Sequence, residues 1–272
     1  MVLREQKNRK GNRMDIKLQG VRNIRDFTEY GYQGYIRSAH LHDMTESDAE
    51  ILLKNYKLRM VIDLRTGVEK NEQPDYVMEG VEYLHIPLFD ESRVGISHEK
   101  RTQQDMDMML PDMPDLYRKI VTDEFSVAQI KKVMKAINDS RDGAVLWHCT
   151  EGKDRCGIIS ALFLLSRGTD KDTVMQDYLK TNETSGKRAE YYYAAALEKS
   201  GSREIAEKVK DAFLAKREYM EPVIEILISQ SRQGLTGNCL SSGLWSELGK
   251  CQHKRGHLVV DRKTFYRKGR DC

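Results

Sequence analysis

His148-Cys149-Thr150-Glu151-Gly152-Lys153-Asp154-Arg155-Cys156-Gly157 is the stretch that decides how this chain is read. A cysteine and an arginine stand with five residues between them, one glycine inside the interval and another just past it. The apolar run Ala144-Val145-Leu146-Trp147 precedes the stretch and follows Asp142-Gly143, a turn signal, so it predicts a buried strand. Residues 156–165 are apolar nearly all round, which predicts a buried helix. A cysteine between such a strand and such a helix lies where α/β proteins place ligands. The residues between can curl so that their N–H groups converge as an anion nest at the helix N-terminus. Those N–H groups, the helix dipole and Arg155 favour a thiolate at Cys149. The planar fork of Arg155 matches two oxygens of a phosphoryl group. The same donors suit the equatorial oxygens of a phosphoryl group in transfer, which points to a covalent cysteinyl-phosphate intermediate.

Working outward, strands are expected at 35–41, 59–65, 81–88 and 144–148. The second and fourth are short and apolar at their centres, as strands covered on both faces are. Ser47-Asp48-Ala49-Glu50 fits a capping box ahead of Ile51-Leu52-Leu53. Apolar residues at 130, 133, 134 and 137 keep a helical period. Further helices are expected at 170–179 and 189–199. Residues 202–228 read as one long helix or two, with Pro222 at the break or at a helix start. Strand and helix alternate, so the expected fold class is α/β with a mainly parallel sheet. Residues 91–118 lack a period and are rich in Met, Asp and Pro, which reads as a mobile lid or an ordinary surface loop.

A chain of 272 residues can bury one substantial core. Charged residues make up 32% and hydrophobic ones 39%, a balance that suits a globular domain rather than a disordered or fibrous chain. No apolar run approaches the roughly 20 residues that cross a bilayer. Residues 1–17 are polar and basic and lack the apolar core of a secretory signal, so a cytoplasmic protein is expected, with export lacking a classical signal as the alternative. Five cysteines at irregular spacing argue against a disulfide scaffold. Cys251, His253 and His257 are a weak zinc pattern. The net charge of +3 is uneven, because residues 231–272 hold nine Lys/Arg against three acids, or +6, which leaves −3 for the rest. The expected organisation is a basic extension at 1–19, a catalytic domain at 20–230 and a basic tail at 231–272 without an assigned role. A solvated extension is the plain reading of that tail, weak contact with an anionic membrane is the alternative, and no nucleic-acid partner is expected.

The loop resembles the Cys-x5-Arg signature of protein tyrosine phosphatases. More narrowly, it is similar to the bacterial and fungal tyrosine/serine phosphatases, also called atypical dual- or triple-specificity phosphatases, whose loop reads His-Cys-x-x-Gly-Lys-Asp-Arg-Thr-Gly. Asn23-Ile24-Arg25-Asp26 resembles the Asn-Phe-Arg-Asp motif of that family, and Tyr35-Ile36-Arg37-Ser38 its Arg-Ser strand. Asp63-Leu64-Arg65 with Glu69 resembles its Asp-Leu-Arg-x3-Glu segment. Gln176-Asp177-Tyr178-Leu179 and Thr181-Asn182 resemble the helix after the loop. The resemblance runs over roughly residues 20–228. It implies a protein-tyrosine-phosphatase-like fold, a central mainly parallel sheet flanked by helices.

The resemblance implies Cys149 as nucleophile and Arg155 as phosphate clamp, with Thr150, Glu151, Gly152, Lys153, Asp154 and Arg155 around the phosphate. A lysine at 153 resembles phosphoinositide phosphatases, whose substrates carry more than one phosphate; a solvated surface lysine is the plain alternative. Asp63 is the expected general acid, with a capping or salt-bridge role with Arg25 or Arg65 as its alternative, and Asp154 the pocket organiser or base. His148 is expected to orient the loop, Arg25 and Asp26 to tie the N-terminal motif to the site, and Arg65 and Glu69 to pair on a helix. The substrate class is phosphotyrosine, with phosphoserine, phosphothreonine or phosphoinositides open, and no cofactor or metal is required. Cys156 departs from the Thr or Ser of the family it resembles, whose hydroxyl helps the sulfur leave; a thiol donates more weakly. Cys156 also reads as a resolving thiol or as a small apolar helix residue. Glu151 departs by setting an acid in the loop, which weakens attraction for highly anionic substrates. Two other readings are a phosphate-binding module with little turnover and a rhodanese-like sulfurtransferase, which the Asp-Arg-x-Gly helix start fits badly.

Overall fold

The computed structural model describes residues 16–90, 112–140 and 142–235. Five strands form one sheet: β1 Arg25–Phe27, β2 Tyr32–Ser38, β3 Leu58–Asp63, β4 Glu82–His85 and β5 Ala144–His148, in the order β1-β2-β5-β3-β4. β2, β5, β3 and β4 run parallel, and β1 pairs antiparallel with β2. The mainly parallel α/β architecture therefore stands, with one strand more than the residues suggested. β1 lies inside the Asn23-Ile24-Arg25-Asp26 motif, and three residues are too few to carry a visible period-2 pattern. β5 sits between β2 and β3, so its C-terminal end opens onto the middle of the sheet.

Nine helices surround the sheet among the described residues: α1 Glu46–Asn55, α2 Gly67–Glu72, α3 Met113–Thr122, α4 Glu124–Asp139, α5 Asp154–Ser166, α6 Lys171–Leu179, α7 Asn182–Ser200, α8 Arg203–Phe213 and α9 Arg217–Leu235. Alternation along β5 splits its side chains between two cores. Val145 and Trp147 join Phe27, Phe163, Ile130, Val133 and Leu227 on one face. Ala144 and Leu146 join Ile36, Val61, Leu52 and Leu58 on the other. Phe27, Trp147 and Phe163 form the aromatic centre, with ring centroids 5.2–5.4 Å apart. Ten residues of α5, from Arg155 to Leu164, are buried, as its unbroken apolar run predicts.

Several boundaries differ from the sequence reading. The capping box of α1 is Thr45 with Asp48, not Ser47 with Glu50. Asp48 prevails because its carboxylate also accepts from the Gln19 and Gly20 N–H groups, which seat the N-terminal segment. Residues 91–111, most of the expected lid, lie outside the described residues. Residues 113–118 belong to α3, a helix capped by Asp112 whose Pro114 is tolerated in the first turn. The stretch 202–228 breaks at 214–216 and not at Pro222, which lies inside α9. Near a helix start Pro222 deprives only the Glu218 carbonyl of a donor. The tail beyond 235, with Cys239, Cys251, Cys272, His253 and His257, also lies outside the described residues.

β2 and α6 are joined by charge. Asp177 on α6 accepts from Arg25 Nε at 3.1 Å and from Arg37 Nη1 at 3.1 Å, and Arg37 is wholly buried. Burial pushes the Asp177 carboxyl up, but the two guanidiniums outweigh it and hold it below the usual range. Asp177→Ala leaves a buried guanidinium unpaired, so urea unfolding should record a loss of about 3–5 kcal/mol. A loss under about 1 kcal/mol, the scale of an exposed pair, would contradict this role.

Candidate active site

The Cys149 loop leaves β5 at His148 and enters α5 at Asp154. Its carbonyls are tied from outside. His40 N–H donates to the Thr150 carbonyl at 3.3 Å. Asn23 Nδ2 donates to the carbonyls of Glu151 at 3.1 Å and Gly152 at 2.9 Å. Arg37 Nη2 donates to the Gly152 carbonyl at 2.7 Å. In a trans peptide each N–H points opposite to the preceding carbonyl. The N–H groups of residues 151–153 therefore point away from Asn23, Arg37 and His40, and no described residue accepts from them. The N-terminus of α5 adds its dipole from the same side. Gly152 makes the curl affordable to the chain: its φ is +66°, and a Cβ there would meet Ala39 N and the Ser38 carbonyl at 2.6 Å.

Cys149 is buried, which pushes its thiol up. Donation from the Cys156 thiol, the Arg155 charge and donation from the Cys156 N–H outweigh burial and bring it down to about 6. Cys156, also buried, is pushed well above the ordinary range by burial and by its bond to Cys149. It keeps its proton, and its Sγ also lies within reach of the Ser38 carbonyl at 3.5 Å and the Trp147 carbonyl at 3.8 Å.

Arg155 is gripped by Glu69. Its Nη1 donates to Oε2 at 2.6 Å and its Nη2 to Oε1 at 2.7 Å, while the Thr150 hydroxyl also donates to Glu69. Glu69 thus takes the Nη1–Nη2 edge, and Nε–H has no acceptor among the described residues. Burial opposes ionisation of Glu69, but Arg155 and Thr150 hold its carboxyl far below the usual range. The expected Arg65–Glu69 pair is not formed. Glu69 instead closes the capping box of α2 with Thr66 and spans to the loop.

Asp63 is buried and bonded on both oxygens. Arg65 Nε and Nη2 reach Oδ1 and Oδ2 at 2.9 Å each. This is the salt-bridge role given as the alternative to the acid role. Arg65 Nη2 also reaches Asp75 at 3.0 Å, and Asp75 lies 2.9 Å from His148 Nε2. Burial opposes protonation of His148, but Asp75 and Asp63 raise its affinity for the proton. Asp63, Asp75 and His148 lie close enough to share a cation, and the Arg65 guanidinium already supplies one.

Asp154 is held on one oxygen only. Tyr117 donates to Oδ1 at 2.5 Å and Lys153 Nζ lies 2.7 Å from the same atom. Tyr117 in turn contacts the Tyr178 hydroxyl at 2.7 Å. Oδ2 has no partner among the described residues, and the side chain is 26% exposed. Lys153 is not the solvated surface lysine that was its plain alternative reading. Its side chain is 1% exposed, and Nζ also donates to the Leu214 carbonyl at 3.3 Å. Glu151 meets Arg22 and Arg188. Arg25 ties its motif to α6 as expected, whereas Asp26 accepts from the Thr28 N–H at 3.0 Å within its own turn. The sequence reading missed Tyr117, Asp75 and Arg188; Tyr117 fell inside the stretch read as aperiodic.

A sequence model of the tyrosine phosphatase family matches residues 16–234, and the chain belongs to that family. It is 32% identical over 146 residues to a tyrosine-protein phosphatase of Nostoc commune, covering 53% of this chain and 47% of that one. It is 36% identical over 72 residues to the triple specificity protein phosphatase PtpB of Mycobacterium tuberculosis, covering 26% of this chain and 25% of that one. The chain thus spans about half or less of the length of these curated relatives. Among solved structures, the core catalytic domain of the PP-IP phosphatase SIW14 from S. cerevisiae aligns with a TM-score of 0.35 at 9% identity, covering 78% of this chain and 95% of that one. Family membership rests on the sequence match.

The lowered Cys149 thiol is directly measurable. Alkylation by iodoacetamide should rise through a midpoint near pH 6, because the thiolate reacts and the thiol does not. A midpoint near the ordinary thiol value of about 8.5 would contradict the arrangement.

Proposed function

We propose that the chain hydrolyses phosphotyrosine monoesters through a phosphate ester of Cys149. The observation that carries this reading is a buried cysteine lowered to about 6 inside a loop whose free N–H groups face away from its carbonyl anchors. The thiolate attacks phosphorus and the P–O bond to the tyrosine breaks. Asp154 Oδ2 gives its proton to the departing oxygen, and Oδ1 stays fixed by Tyr117 and Lys153. In the second step water attacks phosphorus, Asp154 takes a proton from it, and the S–P bond breaks. The released thiolate is received by the Cys156 S–H and N–H.

Backbone N–H groups of residues 150–155 and the Nε–H of Arg155 hold the phosphoryl oxygens. Glu69 keeps the guanidinium flat against the loop, and Phe89 covers it at 5.3 Å. Asp63 acts through Arg65 and the strand ends as a positioning residue. A phosphotyrosine substrate suits the buried depth of Cys149, because a phenol ring carries its phosphate further from the peptide than a serine does. Hydrolysis of phosphoserine, phosphothreonine or phosphoinositides is the wider form of the same proposal.

Steady hydrolysis of p-nitrophenyl phosphate, persisting in chelator and abolished in Cys149→Ser, is the expected result. Phosphate-competitive binding with no turnover would instead identify a binding module. Asp154→Asn should lower kcat by about 10²–10⁴-fold on aryl phosphates with poor leaving groups, and less on p-nitrophenyl phosphate. Asp63→Asn should leave the dependence on leaving group as it is in the parent chain. An unchanged leaving-group dependence in Asp154→Asn would remove Asp154 from the acid role. Cys156→Thr restores a stronger donor to the departing sulfur, so phosphate release should speed up; an unchanged or slower rate would contradict that role.

A further inference from the structure

The Glu151 side chain has no part in the chemistry above, yet two arginines from distant segments meet on it. Arg22, ahead of β1, and Arg188, on α7, place Nη2 at 3.5 Å and 3.0 Å from the same oxygen, Oε1. Oε2 has no partner among the described residues. Each arginine also has a second anchor. Arg22 Nη2 lies 3.2 Å from His40 Nε2, and burial with the Arg22 charge lowers His40 to about 4, so at neutral pH it is an uncharged acceptor. Arg188 Nη2 reaches the Tyr192 hydroxyl at 3.3 Å and its guanidinium stands 5.3 Å over that ring, which stacks on Phe213 at 4.2 Å. Both guanidiniums would therefore remain in place if Glu151 turned away.

The position is open where the Arg37–Asp177 pair that anchors the loop is closed. Side-chain exposures are 37% for Arg22, 32% for Arg188 and 23% for Glu151, against 0% and 2% for Arg37 and Asp177. Two positive charges face one negative charge, so a net positive charge remains beside the phosphate loop. Glu151 is joined to the loop by its own backbone, two residues from Cys149, which sets the distance from this charge to the reacting phosphate.

We infer that Arg22 and Arg188 form a second anion subsite, and that the Glu151 carboxylate fills it in the free protein. The ligand is an acidic side chain adjacent to phosphotyrosine in a peptide substrate. A peptide carboxylate replaces the Glu151 carboxylate like for like, whereas the buried Lys153 Nζ is already taken up by Asp154 and the Leu214 carbonyl. The inference rests on the phosphotyrosine phosphatase reading and specifies its substrates.

The test measures affinity, which does not depend on turnover. Two phosphotyrosine peptides, one with Glu and one with Gln beside the phosphotyrosine, are titrated into the full chain carrying Cys149→Ser. At low salt the Glu peptide should bind about fivefold more tightly, the scale of a partly exposed ion pair. That ratio should fall to about one when Arg188→Gln and Arg22→Gln are added, and should widen when Glu151→Gln is added. A purely structural clasp would weaken both peptides alike and leave the ratio unchanged, which would overturn the subsite. So would equal affinities in the Cys149→Ser chain, or no binding of either peptide. A soluble inositol bisphosphate that displaces the Glu peptide through the same arginines with higher affinity would overturn the peptide assignment. Failure of the underlying reading shows separately, as absence of p-nitrophenyl phosphate hydrolysis by the unmodified chain.

Discussion

Arg37 is wholly buried, and its guanidinium joins the Gly152 carbonyl to the Asp177 carboxylate. Together with Asn23 it turns the loop carbonyls outward, and peptide planarity then turns the N–H groups the other way. Without that orientation, carbonyl dipoles would face the phosphate. Asn23 accepts a positive φ of 50° to hold this geometry, and Arg25 steadies it by donating to its Oδ1 at 2.8 Å. The anion nest is thus built by β2, the Asn23 motif and α6 together, and the loop residues alone do not specify it.

Around the nest the charges alternate at short range. Arg155 faces Glu69, Arg65 faces Asp63 and Asp75, Lys153 faces Asp154, and Arg37 faces Asp177. Each buried charge has a partner, as the cost of an unpaired one demands. Single atoms among the described residues remain without a partner: Nε–H of Arg155, Oδ2 of Asp154 and Nε of the buried Arg37. The proposed chemistry uses the first two, one for the phosphoryl oxygens and one for the proton.

What the sequence made legible was local and apolar. β5 was read to the residue because a turn signal, an uninterrupted apolar run and the catalytic motif bound it tightly. α5 was read within two residues because its burial leaves no polar face to confuse the period. Charge partners were harder, since a sequence offers near neighbours first. Arg65 and Glu69 are four apart and invite a helical pair, but Glu69 is spent on Thr66 and on Arg155, 86 residues away. Asp63 ends a buried strand, and Arg65, two residues on, donates to both its oxygens, the role given as its alternative. Lys153 looked like a solvent or substrate charge, because nothing local reveals that the 214 carbonyl and the Tyr219 ring lie over it. Tyr117 lies on α3, whose first half falls in the Met-, Asp- and Pro-rich stretch without a period.

The central claim is that Cys149 carries the phosphoryl group between the two steps. Rapid quenching of the Asp154→Asn chain with a good-leaving-group aryl phosphate tests it, because that variant can form the intermediate but lacks the base that discharges it. Peptide mass spectrometry should find phosphate on the peptide bearing Cys149 and on no other. Phosphate on another residue, or hydrolysis without any phosphorylated peptide, would contradict the account.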